Sequence, residues 1–173
     1  MGNVKLEKTT KACKIKTQGW CNMSIIFTSK GIAIMVDEDD FDCLSETKWC
    51  ISHYGYAVGM HNKIYTYMHR LILNAPTNLE VDHINRDRID NRKANLRLCN
   101  KSQQQANSVS SKKTKTSKYK GVRWKKDIKK WGASIKHNYK PIGLGVYVSE
   151  EDAARAYDKA AKKIFGEFAR TNL

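Results

Sequence analysis

The sequence predicts an α+β protein in two small parts, each built on short antiparallel strands. Three features predict it. β-prone runs recur along the chain, each bounded by Gly, His, Asn or Pro. One long stretch after Ser149 has the apolar spacing of an amphipathic helix. The charge is also unevenly spread: residues 1–107 carry 15 basic and 11 acidic side chains, whereas residues 108–173 carry 17 and 6. Residues 108–118, rich in Ser, Thr and Lys, have almost nothing to bury and read as a linker that is mobile or ordered only on a partner. A boundary near residue 112 follows, and neither part of a 173-residue chain then buries a large core.

The elements follow in order. Residues 24–28 and 31–36 are β-prone runs joined by a Ser-Lys-Gly turn. Asp37 opens an acidic cluster through Asp42 whose spacing matches no calcium loop; it reads as the cap of a short helix ending near Leu44. Residues 48–52, 55–59 and 63–68 read as short strands, and residues 69–73 as a brief helix ending before Pro76. In the basic part, residues 119–124, 130–136 and 141–147 form a three-stranded meander. Ser149 is a good N-cap, with Asp152 at the third helical position. Ala153, Tyr157, Ala160, Ala161, Ile164 and Phe165 make the apolar stripe, and Gly166 stops the helix. A three-stranded sheet packed on one helix follows.

Composition narrows the function. Hydrophobic residues at 40% and charged residues at 28% describe a soluble globular chain, and no apolar stretch is long enough to span a membrane. The lysine-rich residues 1–16 lack the apolar core of a signal peptide. Five cysteines, odd in number and without a C-x-x-C pair, argue against a disulfide scaffold and a cysteine zinc site. A net charge of +15 points to a polyanionic partner, nucleic acid first.

Residues 80–107 concentrate the chemistry. They read as a short strand, a tight polar loop, a second strand at 96–98 and a helix from about Lys101. Such a hairpin lies against its helix, so residues of the first strand and the helix can face one another. Asp82 offers a hard anionic oxygen of the kind Mg²⁺ takes, with substrate phosphate and water completing its shell. His83 supplies a base whose ordinary pKa lies near neutrality.

Asp82-His83-Ile84-Asn85, Asp90-Asn91-Arg92 and Asn95-Leu96-Arg97 at this spacing resemble the HNH nuclease family, in the class found in phage and intron-encoded homing endonucleases. Met68-His69-Arg70-Leu71 is similar to that family's H-R-L segment. Residues 36–41, Lys48-Trp49 and Gly55-Tyr56-Ala57 resemble its N-terminal strands, so the likeness covers residues 24–107. It implies a ββα-metal (His-Me finger) fold with His83 as general base, Asp82 as metal ligand, and Asn95 holding the loop and orienting the histidine. Gln104 falls where the family carries His or Asn as a further metal ligand. That is a departure, and Gln103, Gln105 or Asn107 remain alternatives one register away. Asn91 and Arg97 match positions that brace the loop or touch phosphate, and Arg97 is counted as a DNA contact. His69 is structural or phosphate-binding; His53, His61 and His137 receive no role. One Mg²⁺ or Mn²⁺ per site is implied, and no structural zinc.

Tyr119-Lys120-Gly121-Val122-Arg123, Lys130-Trp131, Leu144-Gly145-Val146-Tyr147, residues 151–161 and Thr171-Asn172-Leu173 resemble the plant ethylene-response-factor (APETALA-type) DNA-binding domain, which lays its sheet in the major groove. The outward positions Lys120, Arg123, Lys125, Lys130 and Lys136 are the expected DNA contacts. Arg123 is the candidate guanine reader and the lysines the phosphate binders. Trp131 reads as core. Pro141 and Gly143 stand where the plant domains carry Arg and Trp, so the plant target sequence does not transfer.

Together these readings describe a homing-type endonuclease for double-stranded DNA: a nuclease domain at 1–112, with the basic linker from about 108, and a DNA-binding domain at 113–173. It is expected to be a cytoplasmic monomer with no membrane partner, encoded by a phage or mobile element. A DNA-binding regulator with a degenerate nuclease site is the rival. An RNA- or ribosome-binding basic protein fits the charge but leaves Asp82, His83 and Asn95 unexplained.

Overall fold

The structure is a computed structural model that describes residues 23–108 and 116–173, and the backbone of 12–14. Most of the lysine-rich N-terminus and of the linker read from the sequence lies outside the described residues. Small antiparallel sheets and a few helices divide into two compact units, Met1–Leu98 and Cys99–Leu173. Among the described residues no helix is long and apolar enough to cross a membrane, and Cys43, Cys50 and Cys99 form no disulfide.

In the first unit, β1 (Ala12–Lys14), β2 (Met23–Phe27) and β3 (Ala33–Asp37) form one sheet in chain order. Ile26 pairs with Ile34 and Ser24 with Val36, so period-2 alternation aims all four inward. Helix α1 (Glu38–Ser45) adds Phe41 and Leu44. A second sheet, β4 (Trp49–Ile51), β5 (Ala57–His61) and β6 (Ile64–Tyr67), adds Trp49 and Ala57, and α2 (Met68–Ile72) adds Met68. The Trp49 indole N–H donates to the Leu44 carbonyl at 2.8 Å, which satisfies the polar end of an otherwise apolar residue.

The expected cap at Asp37 is corrected. Asp37 holds the N-cap position, but its carboxylate makes no cap bond. Oδ2 accepts the Lys93 backbone N–H at 2.7 Å, while Lys93 Nζ reaches Asp40 at 2.7 Å. The acidic cluster therefore fastens the polar loop that follows β7 (Glu80–His83), a loop that ends in a 3₁₀ turn (Lys93–Asn95) before β8 (Leu96–Cys99). β7 and β8 pair as a two-stranded sheet.

The second unit holds α3 (Lys101–Asn107), the meander β9 (Val122–Lys125), β10 (Lys130–His137) and β11 (Lys140–Tyr147), and α4 (Glu150–Phe165). Asn100 and Gln103 form a reciprocal capping box that starts α3. Ser149 accepts from the N–H groups of Glu151 and Asp152 and starts α4 as expected, and Gly166 ends it at φ 54°. Ala153, Ala154, Tyr157, Ala161 and Phe165 of α4 are buried against the sheet; the alanines allow close approach. Asp158, buried on α4, accepts from Asn172 N and Nδ2 and from Leu173 N, so the Thr-Asn-Leu tail folds back onto the helix. A bulge between Ala133 and Ser134 turns Leu144 into the core.

Lys120 was expected at DNA and is engaged elsewhere. Its Nζ donates to the carbonyls of Gln105, Ala106 and Ser108, the unsatisfied C-terminal end of α3. Burial first, then the charge of Arg170, pulls this lysine down to about 8, yet the ammonium is the majority form at neutral pH. The sequence signal for this role was position alone, and alternation along a strand does not reveal a helix end beneath it.

Two predictions follow from this unit. Gly121 has φ 76°, and a Cβ there would stand 2.1 Å from the Tyr157 ring and 2.6 Å from the Ser134 carbonyl. Gly121→Ala should lower unfolding stability by about 3 kcal/mol, read by chemical denaturation. Lys120→Met retains the apolar stem but removes three charged donors; it should lower stability by roughly 1–3 kcal/mol. The same variant should leave the salt dependence of DNA binding at the wild-type value, the result expected of a helix cap and not of a phosphate contact.

Candidate functional site

The polar loop is fixed before any side chain of the site is placed. Its backbone extends the first sheet: Met35 N–H donates to the Ile89 carbonyl at 2.9 Å, and Asn91 N–H to the Met35 carbonyl at 2.8 Å. Inside the loop, Asp90 is buried and accepts from Arg92 Nε and a second Arg92 nitrogen, both at 2.7 Å, and from Asn85 Nδ2 at 2.9 Å. The Arg92 hydrogen bonds, chiefly, hold the Asp90 carboxyl below its ordinary value. The Asp-Asn-Arg motif is thus an internal brace around one buried carboxylate.

Asn95 is the second brace. Its Oδ1 accepts the Asn85 N–H at 2.9 Å and its Nδ2 donates to the Asp90 carbonyl at 2.8 Å. The resemblance implied that it would hold the loop and orient the histidine. The structure divides those tasks: Asn95 spans the loop, and Asn91 reaches the imidazole. The sequence contained both asparagines, but only the fold reveals which one faces the ring.

His83 ends β7 and is buried. Its Nε2 lies 3.3 Å from Asn91 Oδ1. With the Asn91 amide in this orientation its oxygen can only accept, which puts the ring proton on Nε2 and makes Nδ1 the basic nitrogen. Burial lowers the pKa of His83, opposed by the Asn91 bond and then by Asp82, so the ring is neutral at pH 7. His69, also buried, packs against it at 5.2 Å between ring centroids, with Tyr56 5.8 Å from His83 and 5.1 Å from His69. Burial, then His83, then Arg70, pushes His69 down to about 3, so it too is neutral at pH 7.

Asp82 precedes His83 and is buried. Its Oδ2 accepts from Arg97 Nε at 3.0 Å and from a second Arg97 nitrogen at 2.8 Å. Arg97, expected at phosphate, is therefore engaged by the very carboxylate expected to hold a metal. A hard anionic oxygen beside a neutral histidine suits a divalent cation. Among the described residues no three His, Cys, Asp or Glu side chains gather as a metal-holding group. The donor set fits an ion with few protein ligands, one that would take the rest of its shell from substrate and water. Gln104 lies half-buried on α3. Of its proposed substitutes, Gln103 is engaged in the capping box, Gln105 is exposed and Asn107 is buried.

On the second unit, Lys125 pairs with Lys130 and Arg123 with Gly132 across β9 and β10. Alternation puts Arg123, Lys125, Lys130 and Lys136 on one face, and Val122, Ala133 and Ile135 on the face packed against α4. The absence of a side chain at Gly132 makes room for Lys125, whose Cε would stand 2.8 Å from a Cβ there. Like charges directly opposite one another destabilise a sheet, so a Lys125–Lys130 pair suits a face that meets polyanion. Trp131 packs edge-to-face on Trp124, 5.0 Å between centroids, at the rim of the apolar cluster, as expected of core.

A family model described as HNH endonuclease matches residues 66–106, the stretch from β6 to α3. An uncharacterized HNH endonuclease of Acanthamoeba polyphaga mimivirus is 33% identical over 159 residues, 86% of this chain and 79% of the viral protein. An AP2/ERF and B3 domain-containing transcription repressor of Arabidopsis thaliana is 40% identical over 63 residues; that is 36% of this chain and 17% of the plant protein's length.

Proposed function

The chain belongs to the HNH endonuclease family and is a nuclease, and from that premise we propose that it makes site-directed cuts in double-stranded DNA with His83 as general base. One observation carries the reading: a buried, neutral imidazole has its proton assigned to Nε2 by Asn91, beside the Asp82 carboxylate. Nδ1 of such a ring takes a proton from water as the water attacks phosphorus, and Asn91 keeps the ring from rotating. Asp82 would hold the divalent ion, Mg²⁺ or Mn²⁺, with Gln104 of α3 as the proposed further ligand. When bound, that ion supplies charge neutralisation at the phosphoryl group and the leaving oxygen. In chain order, β7, β8 and α3 are the proposed ββα-metal element.

The C-terminal sheet is the proposed DNA reader, with Arg123, Lys125, Lys130 and Lys136 as its contacts and residues 113–173 as its extent. Arginine matches the paired acceptors of guanine, and the lysines give affinity without sequence. A nuclease coupled to a separate reader cuts where the reader binds, which is the logic of a homing enzyme. The viral origin of one relative favours an element of viral or mobile character. The degenerate-site reading draws on two observations: Arg97 occupies an oxygen of Asp82, and Gln104 departs from the family's residue.

Nicking of supercoiled plasmid with titrated Mg²⁺ separates these readings. Wild type should nick, and chelation by EDTA should stop it. His83→Ala should lose roughly 10²–10⁴ in rate while duplex binding stays near wild type; unchanged cutting would remove His83 as the base. A wild-type chain that binds duplex but never nicks is the regulator's signature.

The proposed ligand is tested separately. Gln104→Ala should shift the Mg²⁺ titration to higher concentration, and Gln104→His or Gln104→Asn should restore it. A titration that does not move would pass the role to another residue of α3.

A further inference from the structure

The arginines around His83 are used unequally. Arg92 forks onto Asp90, and Arg97 onto Asp82. Arg70 donates to the carbonyls of Leu79, Ala75 and Pro76. Each of these guanidiniums is directed into the protein. Arg88 is directed otherwise. It is exposed, and one nitrogen of its guanidinium donates to the Tyr54 carbonyl. Its Cζ stands 4.7 Å from the centroid of the Tyr56 ring, whose own centroid is 5.8 Å from that of His83. Among the described residues no carboxylate forms an ion pair with it.

A guanidinium stacked on an aromatic face and held by one backbone bond has lost much of its rotamer freedom before a ligand arrives. Beyond the donor given to Tyr54 it retains others in a planar fork, the geometry that matches two oxygens of a phosphate. We propose that Arg88 is a substrate-binding residue of the active site, holding a backbone phosphate of the DNA strand beside the His83 imidazole. The proposal rests on the reading of His83 as the base. It moves the phosphate contact expected at Arg97 to a residue whose charge is available and whose position is fixed by Tyr56.

Two variants of the full chain test it. Arg88→Gln keeps an amide donor for the Tyr54 carbonyl and removes the charge. Arg88→Lys keeps the charge and removes the planar fork. Both should melt like wild type, because the side chain is exposed. In plasmid nicking at saturating Mg²⁺, Arg88→Gln should lower kcat/KM about 10- to 100-fold. In duplex titrations at several salt concentrations, its log–log slope should be shallower by about 0.9, one phosphate's worth. Arg88→Lys should keep the slope and recover part of the rate. Wild-type kcat/KM and slope in Arg88→Gln would overturn the proposal. An equal loss in both variants with an unaltered slope would also overturn it, since that is the behaviour of a brace for the Tyr54 turn. His83→Ala, measured in parallel, distinguishes the two failures. If it is inactive while Arg88→Gln is normal, only this proposal falls; if it cuts like wild type, the reading of the base falls too.

Discussion

The hydrogen bond between His83 Nε2 and Asn91 Oδ1 decides which nitrogen of the ring is basic, and much of the first unit serves to hold Asn91 in place. Its backbone N–H is fastened to the Met35 carbonyl, so the position of the amide is set by β3, far away in sequence. Its two neighbours lock each other, Arg92 onto Asp90, and Asn95 spans the loop from Asn85 to the Asp90 carbonyl. Lys93 carries the loop's far end to Asp37 and Asp40. A polar loop with little apolar burial of its own is thereby made rigid through hydrogen bonds to elements that do have a core. On the proposed reading of His83 as the base, that rigidity preorganises the ring before substrate arrives.

Among the described residues the cations fall into two groups. Arg70, Arg92, Arg97, Lys93 and Lys120 face carbonyls or carboxylates of the protein itself and contribute to folding. Arg123, Lys125, Lys130 and Lys136 lie along one sheet face, and Arg88 is seated on Tyr56 with no carboxylate partner among the described residues. The net charge of +15 implied a polyanion but could not divide the cations between these groups. Lys120 is the instructive case. On strand alternation it belongs with the outward lysines, yet its position opposite the end of α3 makes it a cap.

The sequence was most legible where local chemistry decides the outcome. The Ser149 cap, the apolar stripe of α4, the Gly166 stop and the hairpin around Gly31 all depend on neighbours within a few positions, and they formed as expected. The Asp-His motif was legible because Asp82 and His83 are adjacent in the chain. What the sequence hid were choices among equivalent partners. Asn91 and Asn95 are chemically identical, and only the register of the loop on β3 selects the one that meets the ring. Asp37 looked like a cap because capping is its commonest use, but the Lys93 N–H, 56 residues away, competes for the same oxygen. Arg97 and Asp82, 15 residues apart, meet because β7 and β8 pair. Long-range pairing of this sort leaves no periodicity to read.

The proposed chemistry also explains why a nuclease site can be so sparsely furnished. A base with one defined proton and one adjacent carboxylate do not constitute a closed metal centre; a small hard cation held by so few protein oxygens must take the rest of its shell from water and from the phosphate itself. Assembly of the active ion would then require the substrate. Arg97 on Asp82 Oδ2 orients the carboxylate and offsets its charge, and a divalent ion held there would share that oxygen with the guanidinium or displace it. An enzyme of this kind does little in the absence of bound DNA. In the proposed reading, the work of bringing DNA to it passes to the sheet face on the second unit and, beside His83, to the guanidinium stacked on Tyr56. On that proposal sequence preference and chemical competence arise from different residues, and each can change without dismantling the other.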